Sequence, residues 1–184
     1  MGNLTLVTGG VRSGKSSWTL KQAGLSSAAH KIFIATAEPF DDEMRVRISD
    51  HQTERGAEWE TVEAPLELPG AVRALGKDST AIIDCCTVWL GNIWHRTSGD
   101  EQKMMDAVDD LLTALREFKE RSGGTLYMVT NEVGWGIVPP EPDTRRYRDV
   151  IGKLNQLVAS EADEVYMCVA GIAVSIKKSQ SGSI

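Results

Sequence analysis

Cysteine, proline and aromatic residues are all scarce in this chain of 184 residues, with three Cys, six Pro and 6% aromatic side chains. Cys85, Cys86 and Cys168 are odd in number and lie inside apolar runs, which argues against a disulfide framework or a metal site and fits buried thiols in a reducing compartment. No dense Lys/Arg block offsets the net charge of -6, so a nucleic-acid partner is not expected. No apolar run approaches the ~20 residues that a membrane span needs. The first apolar run starts too early to leave room for a signal peptide, and Leu6 stands where a myristoylation signal would have Ser or Thr. The expected location is the cytoplasm. There is no internal repeat and no linker, and no Asn-Lys-x-Asp segment of the kind that reads guanine in small GTPases; Asn131-Glu132 is not a substitute. What remains, at 41% hydrophobic and 25% charged residues, is the composition of a globular protein with enough chain for one α/β domain.

The most informative stretch is TLVTGGVRSGKSS, Thr5 to Ser17. Gly9, Gly10, Val11, Arg12, Ser13, Gly14, Lys15 and Ser16 form the spacing of a phosphate-binding loop, placed after an apolar strand and before a helix. Glycines let successive backbone N–H groups converge on one anion, and the helix N-terminus adds its positive dipole end. Lys15 is a point charge for the outer phosphates, and the Ser16 hydroxyl is the usual Mg²⁺ ligand.

Strands and helices alternate beyond this loop. Strands are expected at Leu4 to Thr8, Lys31 to Thr36, Glu58 to Ala64, Thr80 to Asp84, Thr125 to Thr130 and Glu164 to Val169, with a possible edge strand at Ala173 to Ile176. Helices are expected at Lys15 to Gly24, Asp41 to Arg55, Ala71 to Leu75, Glu101 to Arg121 and Arg145 to Glu161. In the fourth of these, Met104, Val108, Leu111, Leu115 and Phe118 make one apolar stripe. The alternation implies a single, mostly parallel sheet covered on both faces within residues 1–178, followed by a polar tail at 179–184.

Three places could carry chemistry. Asp84 ends a strand and suits either a magnesium-holding carboxylate or an ordinary strand-end charge. Cys85 and Cys86 beside it are read as packing groups. His51 shares a helical face with Met44 and Ile48, so it points toward protein, as a satisfied core group or as a nucleophile beside the nucleotide. His30 and His95 are read as solvated. The loop after Thr130, NEVGWGIVPPEP, offers Trp135 as an apolar platform for a large substrate. Arg145, Arg146 and Arg148 follow it as candidates to neutralise phosphate; an ordinary proline-stiffened connection fits equally.

Together these stretches resemble the bifunctional adenosylcobinamide kinase and adenosylcobinamide-phosphate guanylyltransferase family over nearly the whole chain. The resemblance is carried by LVTGGVRSGKSS, by FIATAEPFDDEMRVRISDHQTERGAEWETVEAP, and by VTNEVGWGIVPPEPDTRRYRDVIGKLNQLVASEADEVYMCVAGIAVSIK. It implies a three-layer, RecA-like phosphate-loop fold and two reactions. The first is phosphorylation of adenosylcobinamide by ATP or GTP. The second is GMP transfer from GTP through a covalent histidine intermediate, giving adenosylcobinamide-GDP and pyrophosphate. The histidine that matches is His51. The implied nucleotide contacts are the loop from Gly9 to Ser16, Ala35, Thr36 and Ala37, then Gln52, Thr53, Glu54 and Arg55, then Glu63 and Asp84; Ser16 and Asp84 would hold Mg²⁺. The chain departs at Asp84, where some relatives carry Glu, and at Asp50, where some carry a second His. The resemblance also implies a homotrimer. Two other readings stay open on the residues alone: another small-molecule kinase in which His51 is structural, and a nucleotide-controlled binding module.

Overall fold

A computed structural model of the chain describes residues 1–40, 42, 45, 46, 53 and 55–178. The strands are β1 (Asn3–Gly9), β2 (His30–Ala35), β3 (Trp59–Glu63), β4 (Ser79–Asp84), β5 (Thr125–Val129), β6 (Glu164–Val169) and β7 (Ile172–Lys177). The helices are α1 (Lys15–Gly24), α2 (Leu68–Ala74), α3 (Cys86–Arg96), α4 (Glu101–Arg121) and α5 (Pro142–Glu161). All seven strands join one sheet in the order β3-β2-β4-β5-β1-β6-β7. Every pairing is parallel except β6 with β7, which is antiparallel.

Side-chain alternation divides the core into two unequal parts. On one face Leu4, Leu6, Ile34, Ala81, Ile83, Leu126 and Met128 pack with residues of α2, α3, α4 and α5, including Trp89, Leu115, Phe118 and Ile151. The next residues along the strands, Phe33, Ile82 and Val129, turn to the opposite face and meet Ala23 and Leu20 of α1 with Trp59 and Cys85. Both faces of the inner strands are therefore apolar, as expected for a covered parallel sheet.

Most expected elements are present. The stripe on α4 is buried in full, and α1 has the expected bounds. Two helices begin earlier than expected, α2 at Leu68 and α5 at Pro142, because a proline is tolerated in the first helical turn, where its missing N–H is not needed. Helix α3 has no counterpart among the expected elements. Its sequence CTVWLGNIWHR buries Cys86, Thr87, Trp89, Leu90, Asn92 and Ile93, so it has little polar stripe to betray a period. Of the expected helix at Asp41 to Arg55, Asp42, Arg45, Val46 and Thr53 are helical and Arg55 lies in a turn. The rest of that segment, with Met44, Ile48, Asp50, His51, Gln52 and Glu54, and the expected tail at 179–184, lie outside the described residues.

Candidate active site at the carboxyl edge of the sheet

The loop from Gly9 to Ser16 leaves β1 and wraps over the N-terminus of α1. Gly9 and Gly14 hold positive φ angles of 148° and 91°. Each also has backbone against it: a Cβ on Gly9 would lie 2.4 Å from the Cys168 carbonyl oxygen, and one on Gly14 would lie 3.0 Å from Gly171 Cα. These two positions admit only glycine for both conformational and steric reasons. The β6–β7 turn braces the loop from outside, with Gly171 N–H donating to the Ser13 carbonyl at 3.0 Å. Arg12 turns through a left-handed φ of 54°, while Val11 is 78% exposed at the loop tip.

Lys15 folds back across this loop and donates from Nζ to the Gly10 carbonyl at 2.6 Å. Its side chain is buried, and burial pushes the amine below its ordinary value, opposed by the Cys85, Asp84 and Cys168 side chains. Ser16 follows at half-buried depth on the first turn of α1.

The parallel register aligns a row of residues beside the loop. Ala35 of β2 pairs with Glu63 of β3 on one side and with Asp84 of β4 on the other, and Asp84 pairs with Val129 of β5. In-register neighbours in parallel strands project to the same face. Glu63, Ala35 and Asp84 therefore line one edge on the face covered by α1. Arg55 closes the site from above, its guanidinium 3.5 Å from the centroid of the Phe33 ring. It is 8% exposed, its Nε has no hydrogen-bond partner, and burial lowers its pKa against the opposing charge of Asp84. Ser13 Oγ is likewise buried and unpartnered. An unmade hydrogen bond on a buried polar atom costs about 1–3 kcal/mol, so both atoms fit a site that is completed by a polar ligand.

Thr36 is buried, and its hydroxyl is used within the protein: it donates to the Cys85 carbonyl at 2.9 Å and accepts from Cys85 N–H at 2.8 Å. Its side chain thus anchors the chain just beyond Asp84, leaving Ala35 and half-buried Ala37 nearer the open edge. Cys85 and Cys86 are buried packing groups; burial raises both thiol pKa values, Cys85 to about 12. His30 and His95 are exposed.

Of the two readings of the three arginines after the long loop, their hydrogen bonds favour the stiffened connection. Arg145 Nη1 donates to the Pro139 and Pro140 carbonyls, and Arg148 donates to those of Ile137 and Gly134. Arg146 pairs with Asp143. Arg145 and Arg148 fasten the loop to α5, while the Arg146 pair lies within the helix. The result is a braced surface that presents Trp135, Ile137 and Val138 at 67%, 96% and 66% exposure.

Sequence reasoning passed over Glu132. Its N–H donates to the Gly9 carbonyl at 3.1 Å, and its Oε1 accepts from Thr8 Oγ1 at 2.7 Å. The local signal is one carboxylate two residues after an apolar strand, and the partner that gives it meaning is 124 residues away.

Among the described residues no helix is long and apolar enough to cross a membrane. In overall fold the chain is similar to an ATPase from the type III secretion system of pathogenic bacteria, with a TM-score of 0.60 at 10% identity over 95% of this chain and 58% of that one. At that identity the likeness carries the fold alone, a mostly parallel α/β sheet covered by helices. Two relatives are similar along their whole lengths. The bifunctional adenosylcobalamin biosynthesis protein CobU of Salmonella typhimurium (strain LT2) is 38% identical over 95% of this chain and 99% of its own. Its counterpart in Escherichia coli (strain K12) is 35% identical over the same shares. Residues 5–176 match the family model described as cobinamide kinase / cobinamide phosphate guanyltransferase. A phosphate loop, a carboxylate row on its flank and this match along nearly the whole chain lead to one conclusion: the protein belongs to the cobinamide kinase / cobinamide phosphate guanyltransferase family.

Proposed function

We infer that residues 1–178 act as one unit that performs both reactions of this family on a shared nucleotide site. The observation that carries the reading is the juxtaposition of the glycine-cradled loop and Lys15 with the Glu63, Ala35 and Asp84 row. In the first reaction ATP or GTP donates its terminal phosphoryl group to the hydroxyl of adenosylcobinamide. In the second His51 takes GMP from GTP, and the phosphate of the first product then displaces it to give adenosylcobinamide-GDP. One loop serves both, because the group it cradles is the donor end in one case and the departing pyrophosphate in the other.

The roles we assign follow the phosphate-loop pattern and the family resemblance. Backbone N–H groups of Gly10, Val11, Arg12, Ser13 and Gly14 hold the phosphates, and Lys15 neutralises their outer charge. Ala35, Thr36, Ala37, Gln52, Thr53, Glu54, Arg55 and Glu63 border the remainder of the nucleotide. The Ser16 hydroxyl and the Asp84 carboxylate would hold Mg²⁺. That donor pair fits an ion that keeps most of its waters and shares phosphate oxygens, and the charge of Asp84 already acts on Lys15 and Arg55. When bound, Mg²⁺ supplies charge neutralisation at the outer phosphates.

The braced loop carrying Trp135, Ile137 and Val138 is the surface that suits the bulky corrinoid. The apolar outer strand β7, with Ile172, Val174 and Ile176 exposed, supports assembly with further copies, as a homotrimer. The enzyme works in the cytoplasm.

Incubation with labelled GTP, with and without cobinamide, tests the reading. Wild-type protein is expected to acquire acid-labile, alkali-stable GMP and to release phosphorylated and GDP-linked corrinoid. His51→Ala is expected to lose the protein-bound label and GMP transfer while retaining most of the kinase activity. Label that persists on the denatured variant would show that His51 is not the nucleophile.

A further inference from the structure

We propose that Glu132 is the general base of the phosphorylation step; this rests on the kinase reading above. Strand β5 lies between β1 and β4, and the chain beyond it continues alongside the end of β1. Thr130 N–H donates to the Val7 carbonyl at 3.0 Å and Glu132 N–H to that of Gly9 at 3.1 Å. Glu132 therefore stands beside the first glycine of the phosphate loop. The loop lysine marks which end of the nucleotide this is. Lys15 reaches for the outer phosphates in such loops, and its Nζ lies on the carbonyl of Gly10, the residue after Gly9. The carboxylate thus stands at the phosphate-loop end of the site, where we set the terminal phosphate.

Its two oxygens are used unequally. Oε1 accepts from Thr8 Oγ1 at 2.7 Å and from Asn155 Nδ2 at 3.2 Å. Asn155 is itself fixed, since Thr130 Oγ1 donates to its Oδ1 at 2.7 Å and its Nδ2 donates to the Asn131 carbonyl at 3.1 Å. Thr87 completes the support by accepting Asn131 N–H at 2.9 Å and lying 3.2 Å from Thr130 Oγ1. Oε2 takes part in none of the hydrogen bonds found among the described residues. No cation pairs with Glu132 among them either. One oxygen orients the group and the other stays available, which is the arrangement a positioned base requires.

In the step, the acceptor hydroxyl oxygen forms a bond to the terminal phosphorus as its proton passes to Oε2 of Glu132. The bond from that phosphorus to the bridging oxygen breaks, and its electron pair leaves with the nucleoside diphosphate. Glu132 then releases the proton to water. The guanylyl reactions place no hydroxyl at this position, because a histidine and then a phosphate oxygen are the nucleophiles. They do not need Glu132.

The test uses the full chain with cobinamide, labelled ATP and labelled GTP. For Glu132→Gln we expect kinase kcat to fall ~10²–10⁴-fold, the range of a lost general base, with nucleotide KM within about threefold and self-guanylylation unchanged. Glu132→Asp should recover part of the rate. Thr8→Val, which frees Oε1 but keeps the carboxylate, should lower kinase kcat by about tenfold. Kinase turnover in Glu132→Gln within about threefold of wild type overturns the proposal, and so does an equal loss of both activities. A wild-type enzyme that makes no phosphorylated corrinoid overturns the kinase reading and this proposal with it.

Discussion

On one face of the sheet α2, α3, α4 and α5 enclose a continuous core that runs from Leu4 to Val165, whereas the face under α1 holds a small cluster built on Ala23, Phe33, Trp59, Ile82, Cys85 and Val129. The first face contains the largest fully buried side chains, Trp89 and Phe118 among them. The second contains the buried cations Lys15 and Arg55 and an unpartnered Arg55 Nε. The buried cations thus lie on the thin side of the strands, whereas the Glu132 carboxylate is fixed from the thick side by Asn155 of α5. The thick side holds the strand ends in register, and the thin side leaves room at their carboxyl edge for a charged ligand. A group such as Lys15 costs desolvation energy where it lies, which the thick side offsets.

The largest expected effect tests the thick side. Trp89 is fully buried and donates from Nε1 to the Leu66 carbonyl at 2.9 Å. Trp89→Ala should lower the unfolding free energy by ~3–5 kcal/mol in a denaturant titration. Trp59→Ala, on the thin side, should cost less; equal losses would break the contrast. Next in size, Lys15→Ala should lower both activities by ~10²–10³-fold, the scale of a lost electrostatic contact to developing charge. Its melting temperature should hold or rise, because a desolvated amine has been removed. A fall comparable to that of Trp89→Ala would make Lys15 a structural group instead.

The effect that is smallest near neutral pH is a pH dependence confined to alkaline solution. Burial, with Asp84 adding to it, raises the Cys85 thiol from 9.0 to about 12 in the folded protein. Between those values the unfolded chain has lost a proton that the folded protein keeps, so the proton stabilises the fold below pH 9 and that contribution disappears as pH climbs toward 12. Denaturation midpoints should be flat up to about pH 9 and then decline, less steeply in Cys85→Ala. An unchanged alkaline slope in that variant would assign the decline to Cys86 or Tyr147, whose pKa values burial also raises.

The phosphate loop was legible because its requirements are local: glycine at two backbone contacts, lysine and serine at a helix start. The parallel sheet was legible for the same reason, since KIFIAT, TAIID and TLYMVT are short apolar runs between helices. What could not be read depends on neighbours distant in sequence. Helix α3 is apolar on too many sides for its period to stand out, because it packs against both α4 and α5 within the large core. Arg145 and Arg148 read equally as phosphate ligands or as parts of a stiffened connection until the fold brings the carbonyls of their own loop within reach. Glu132 acquires a partner only when β5 is laid beside β1.

That placement of β5 also works as a ruler. Strands in a sheet are about 4.8 Å apart, so the strand between β1 and β4 sets their backbones roughly 10 Å apart where the phosphate loop and Asp84 begin. At that spacing Asp84 and the loop meet through side chains or a shared ligand rather than through their backbones. The gap is wide enough for a phosphate group and a layer of water between them. Glu132, just beyond the spacer strand itself, is tied to Thr8 at the end of β1, so the strand that sets this spacing also carries a carboxylate to its β1 side.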